Sequence, residues 1–192
     1  MTPWYRRCVV RGRRNPLYFG LSYRLKKARG KLSFSSVAAS SGLADANTVF
    51  LLERKPGHMP RLDTVERLAY GLGLSPAFLA YGIETDGCHP MTGLRCQGIA
   101  GRLRQQRTLR GLTMRAVSEL AGLSHPTTRS TETGTTIPSI ATAEALANAL
   151  GVSPGWLAYG LGPVELPNRR AIRSKSAKAE PSESDTSADP AV

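Results

Sequence analysis

Apolar positions between residues 98 and 162 recur at helical rather than strand spacing. Ile99 and Leu103 fall on one face while Arg102, Arg104 and Arg107 fall elsewhere, which predicts an amphipathic first helix stopped by Gly111. Thr113 is placed to cap a short second helix with the stripe Ala116, Val117 and Leu120, and Gly122 ends it where a positive φ is needed. Ser124 caps a third helix that carries Pro126 in its first turn, where a missing N–H is harmless, and reaches about Glu132 before Gly134. Ser139 opens a fourth helix with Ala143, Leu146, Ala147 and Leu150. Ser153 and Pro154 open a fifth, with Trp156, Leu157 and Tyr159, closed by Gly160.

The same pattern occurs earlier in the chain. GLGLSPAFLAYG, residues 71–82, returns 78 positions later as ALGVSPGWLAYG, with eight of twelve positions identical. Leu21 and Leu25 match Ile99 and Leu103; Ser33, Val37 and Gly42 match Thr113, Val117 and Gly122; Pro60 matches Pro138. Such an internal repeat sets the architecture. It predicts an all-α chain of two five-helix units, residues 20–83 and 98–162, joined by a connector, 84–97, with an arm, 1–19, and a tail, 163–192. Length differences between the copies fall at turns, where they are best tolerated.

A net charge of +12 and a pI near 10.3 add a polyanionic partner, nucleic acid or an acidic membrane surface, to this picture. No run approaches the ~18 apolar residues of a spanning helix, and no signal peptide is legible, so a cytoplasmic, nucleoid-associated protein is expected, with no membrane partner. The arm holds five arginines and no acid; it is either a basic arm or sequence read from an upstream start. The tail places Arg169, Arg170, Arg173, Lys175 and Lys178 before Glu180, Glu183, Asp185 and Asp189, and its polar composition predicts disorder.

Cys8, Cys88 and Cys96 leave an odd thiol and no disulfide framework. Cys88, His89 and Cys96 lack the paired spacing of structural zinc sites, so no metal is expected. His58, His89 and His125 belong to no nucleophile or phosphate-loop motif. The expectation is therefore no enzyme, no cofactor and no small-molecule ligand.

Two short helices joined by a glycine turn, with a small residue four positions before the glycine, form a helix-turn-helix. Ala38 with Gly42, and Ser118 with Gly122, provide that pair twice. The run from Gly111 to Gly160, with AGLS, an E-x-G exit, a proline, an Ala/Leu-rich helix and LGVSP-x-W in order, resembles the helix-turn-helix domain of the Cro/phage-repressor (Xre-type) family. Repeat one keeps SSVAASSGL, LLERKPG and LGLSPAFLAYG, and resembles the family less tightly. The resemblance implies a lambda-repressor-like fold whose third helix enters the major groove of double-stranded DNA.

Carried over by position, the base-facing candidates are His125, Thr127, Arg129 and Ser130 in repeat two, with Arg129 suited to the paired acceptors of guanine. The corresponding stretch of repeat one, Ala44 to Thr48, offers Asn47 for adenine, while Asp45 repels phosphate, so repeat one is the degenerate reader. Phosphate-contact candidates are Arg24, Lys26, Lys27, Arg29 and Lys31 in repeat one and Arg102, Arg104, Arg107 and Arg110 in repeat two, with Thr113 and Ser124 at helix starts.

Three departures from the family pattern stand out. Phe34 and Met114 occupy the place of a phosphate-binding glutamine. Thr128 stands where a buried Ile or Val is expected, which a helical back-bond from its hydroxyl would accommodate. Neither repeat keeps a dense set of polar readers. The aromatics of the fifth helices, Phe78, Tyr81, Trp156 and Tyr159, are expected to pack the core.

The functional expectation is a sequence-specific transcriptional regulator, most simply a repressor acting by occupancy. Half-sites of such proteins lie about 34 Å apart. The 14-residue connector, which extended could reach roughly 45 to 50 Å, would let one chain serve as a covalent pseudo-dimer. The alternative is an antitoxin-like or other protein-interaction module, with a homodimer or protein partner engaged through repeat one.

Overall fold

The computed structural model describes residues 16–55, 58–85 and 93–165. The expectations made for the arm before Pro16, for Cys88 and His89, and for the tail beyond Glu165 lie outside these residues. The described chain is all-α, as the pattern predicts. The first repeat contains α1 (Leu21–Arg29), α2 (Phe34–Ser40), α3 (Ala46–Arg54), α4 (Leu62–Gly71) and α5 (Pro76–Tyr81). The second contains α6 (Ile99–Leu109), α7 (Met114–Ala121), α8 (His125–Glu132), α9 (Ile140–Ala149) and α10 (Pro154–Tyr159).

Local chemistry places these boundaries. Side-chain oxygens cap helix starts by accepting backbone N–H groups: Ser33 from Ser36, Thr113 from Ala116, Ser124 from Thr127 and Ser139 from Thr142. Asp45 does the same for Asn47 at 2.7 Å. Gly122, at φ 65°, closes α7 in the left-handed conformation that the sharp turn into α8 requires.

The two repeats share a core. Leu25, Val37 and Leu79 are fully buried in the first, Leu103, Val117 and Leu157 in the second, and α5 packs directly on α10. A Cβ added at Gly155 of α10 would stand 3.0 Å from the Ala77 methyl and 3.2 Å from Ile83 Cδ1, so the helices approach as closely as a glycine permits.

Polar contacts across this interface come in matched pairs. Leu62 N–H donates to the Pro138 carbonyl and Ile140 N–H to the Pro60 carbonyl, each at 3.0 Å. Tyr81 donates its hydroxyl to the Ile140 carbonyl at 3.0 Å and Tyr159 donates to the Leu62 carbonyl at 3.3 Å. Glu66 of α4 accepts N–H bonds from Arg95 and Cys96, at 2.7 and 2.9 Å. Glu144 of α9 accepts them from Leu17 and Tyr18, at 2.8 and 3.1 Å. Each contact and its counterpart differ by the repeat period, so the halves are related by an approximate twofold axis and meet through like surfaces. Both carboxylates are buried, and the paired N–H donors replace the water lost there.

These contacts extend each unit beyond the bounds that the pattern suggested. The arm and connector end earlier than the pattern suggested, because Leu17–Gly20 and Arg95–Gly98 form single 3-10 turns whose Tyr18 and Cys96 are buried in the core. Pro163 does not begin the tail, since Ser153 N–H donates to the Val164 carbonyl at 2.7 Å and Glu165 bridges to Val152. The shared core joins the two units, and burial of apolar surface is the force that joins them.

Candidate nucleic-acid interface

Helices α7 and α8 pack against each other. Ser118 of α7, 3% exposed, donates its hydroxyl hydrogen to the Met114 carbonyl at 2.8 Å. Thr128, Thr131 and Glu132 face inward from α8, leaving His125, Pro126, Arg129 and the following Thr133 exposed. The far end of α8 is pinned by a two-pronged ion pair, Arg107 to Glu132, at 2.7 and 2.8 Å. The other terminal nitrogen of Arg107 donates to the Leu112 carbonyl at 2.9 Å, which ties the α6–α7 turn to the same anchor.

Repeat one has the same lock. Arg29 grips Glu53 at 2.8 and 2.9 Å and donates to the Leu32 carbonyl at 2.7 Å. The guanidinium holds the Glu53 carboxyl below its ordinary pKa, chiefly by hydrogen bonding, and Glu53 raises Arg29 in return. Arg107 is raised by Glu132 in the same way.

With caps and locks superposed, Asp45 equals Ser124 and Glu53 equals Glu132, so Val49 matches Thr128 and Phe50 matches Arg129. This fixes which face of α3 corresponds to the exposed face of α8. Ala44 precedes the helix and Asp45 caps it, whereas Asn47 and Phe50 are exposed on α3 itself. Phe50 was not legible as the counterpart of Arg129, because only the tertiary lock at Glu53 fixes its register. Arg54, exposed at the end of α3, was missed for the same reason.

The structure divides the predicted contacts. His125 and Arg129 project into solvent. Thr127 is half-buried with its hydroxyl 2.7 Å from that of Ser124, and Ser130 donates to the Thr127 carbonyl at 3.1 Å. These hydroxyls hold the helix start, and the Thr113 hydroxyl likewise serves α7. The back-bond expected of Thr128 is absent: its buried hydroxyl has no partner, and Thr131 makes that bond instead, to the Thr127 carbonyl at 2.9 Å.

Among the basic residues, Lys26, Lys27, Lys31, Arg104 and Arg110 are exposed. Arg104 is 63% exposed and lies 3.7 Å from Glu132. Arg24 and Arg102 are corrected, because both turn inward. Arg24 donates to the carbonyls of Leu79, Leu17 and Ala80, at 2.8, 3.1 and 2.6 Å. Arg102 donates to those of Leu157, Arg95 and Ala158, at 2.8, 3.0 and 2.8 Å. Each satisfies the open carbonyl end of a fifth helix and clips it to the preceding 3-10 turn. Burial pulls the Arg24 pKa down to about 10 and lowers that of Arg102. Arg29 and Arg107 are also committed within the fold, through their glutamates.

Residues 99–165 match the family model of a helix-turn-helix domain. Searches of curated proteins and of solved structures return no match. The matched span begins with the first residue of α6 and ends at Glu165, the residue bridged to Val152. It holds α6 to α10 whole. Among the described residues no helix is long and apolar enough to cross a membrane.

Proposed function

We propose that this protein is a sequence-specific regulator of transcription that binds double-stranded DNA and represses by occupying its site, reading the major groove mainly with α8. The observation that carries this reading is the presentation of Arg129. It stands exposed on a helix capped at one end by Ser124 and locked at the other by Arg107 and Glu132, so the protein holds the reading side chain at a defined height. The exposed cations Lys26, Lys27, Lys31, Arg104 and Arg110 supply the sequence-independent attraction.

The approximate twofold relation between the repeats supports a pseudo-dimer. In the Xre-type arrangement two subunits present two reading helices to successive grooves; here one chain carries both, with unequal side chains, so the two half-sites differ. Selection of bound sequences from a random duplex pool by the full chain, at about physiological salt, tests this. The expected result is an enriched asymmetric motif containing guanine in the half read by α8, with that guanine preference lost in Arg129→Ala. Failure of any motif to enrich would overturn the proposal.

A further inference from the structure

The geometry points to Phe50 as a base-reading residue that recognises the 5-methyl group of thymine, so that repeat one reads an A·T half-site instead of having lost its reading function. The inference rests on the DNA reading proposed above and concerns the half of the molecule outside the matched domain.

Phe50 occupies on α3 the position Arg129 occupies on α8. The core anchors of α3 are already supplied by Val49 and Leu52, which are 0% and 1% exposed, while Phe50 is 40% exposed. Its ring is nevertheless braced. Phe34 meets it edge-on, with centroids 5.7 Å apart and planes at 90°. The Arg54 guanidinium lies 5.9 Å from its centroid, and the Arg29 guanidinium sits 4.5 Å over the Phe34 ring. Phe50 is therefore held by two neighbouring side chains while part of its ring stays open to solvent at a position matching that of Arg129.

An apolar surface there discriminates in two ways. Against thymine it removes a methyl group from water, which is favourable. Against guanine it covers acceptors without offering a donor, which is unfavourable. Asn47, three residues earlier and also exposed, adds an amide able to bond adenine N6 and N7 together. The pair favours adenine and thymine at neighbouring positions, whereas Arg129 favours guanine in the other half-site.

The test uses the full chain and the duplex selected from the random pool. Each thymine of the half-site not read by α8 is replaced singly by uracil, which deletes only the methyl group, and affinity is followed by fluorescence anisotropy. At one position the wild type should lose roughly three- to fivefold, the worth of one methyl taken out of water. Phe50→Ala should bind thymine and uracil duplexes equally, and Phe50→Leu, which keeps an apolar surface, should retain part of the difference. Uracil substitution without effect at every such thymine, or full uracil sensitivity in Phe50→Ala, would overturn the inference. If α8 still reads its guanine in that case, the DNA reading stands and the apolar face of α3 belongs to a protein partner. If no duplex is enriched at all, both readings fall.

Discussion

The carboxylate of Glu66 accepts the backbone N–H of Cys96 at 2.9 Å, joining the fourth helix of one repeat to the turn that opens the other. Both residues are completely buried. Replacing Glu66 by alanine leaves the N–H groups of Arg95 and Cys96 without their acceptor inside the interface. A destabilisation of about 2 to 4 kcal/mol is expected, measured by urea denaturation. Burial also pushes the Cys96 thiol upward in pKa, so in the native chain it should react slowly with thiol reagents, and Glu66→Ala should expose it to faster labelling.

Tyr81 and Tyr159 each donate one hydrogen bond across the same interface. Tyr→Phe at either position should cost about 1 kcal/mol, or slightly more where the facing carbonyl finds no water. Because the repeats share one core, thermal unfolding should stay a single transition for wild type and both variants. Two separated transitions would show that the halves unfold independently.

Thr128 carries a buried hydroxyl without a partner, at the place where repeat one has Val49. Thr128→Val keeps the shape and removes the unpaired group, so it should stabilise the chain by about 1 to 2 kcal/mol. The side chain is buried, away from the exposed face of α8 that carries Arg129, and DNA affinity should not change. Calorimetry combined with a binding titration checks both halves of this expectation.

Charge removal separates positioning from reading. Lys26→Ala or Lys27→Ala should weaken binding to all duplexes similarly and reduce the slope of log K against log salt by about 1 for each phosphate no longer neutralised. Arg129→Ala should instead cost about 1 to 3 kcal/mol on the preferred site and little on others. Arg24→Ala should destabilise the fold, since its guanidinium holds three carbonyls.

The Arg29–Glu53 pair makes stability pH-dependent. Glu53 has a depressed pKa in the fold, so its contribution is complete above the unfolded value of about 4.3 and declines as pH falls through the lower folded value. Denaturant midpoints measured on either side of that window should converge between wild type and Arg29→Ala at the acid end. A constant gap between the two at every pH would show that the pair does not contribute through this linkage.

Much of the helical plan could be read from the chain because its causes are local. Ser33, Thr113, Ser124 and Ser139 cap helices whose N–H groups lie three residues away, and Gly122 supplies a positive φ at its own position. Apolar spacing needs no partner beyond i, i+4 to be recognised. The echo of residues 71–82 in residues 149–160 likewise revealed the repeated unit.

The roles of individual charges were not legible in this way. Arg24 and Lys26 stand two residues apart on one basic run, yet one binds carbonyls 55 and 56 residues distant while the other faces solvent. Glu66 and Glu144 look like ordinary surface acids of amphipathic helices until the opposing repeat covers them and presents its N–H groups. Phe50 and Arg129 acquire their equivalence only when ion pairs spanning 24 and 25 residues align α3 with α8. Sequence by itself determined most of the helices, the Ser and Thr caps and the repeat. Tertiary structure decided which cations remain exposed, how the repeats join and which side chains stand on the exposed faces of α3 and α8, because burial and hydrogen-bond partners are properties of chain segments brought together from far apart.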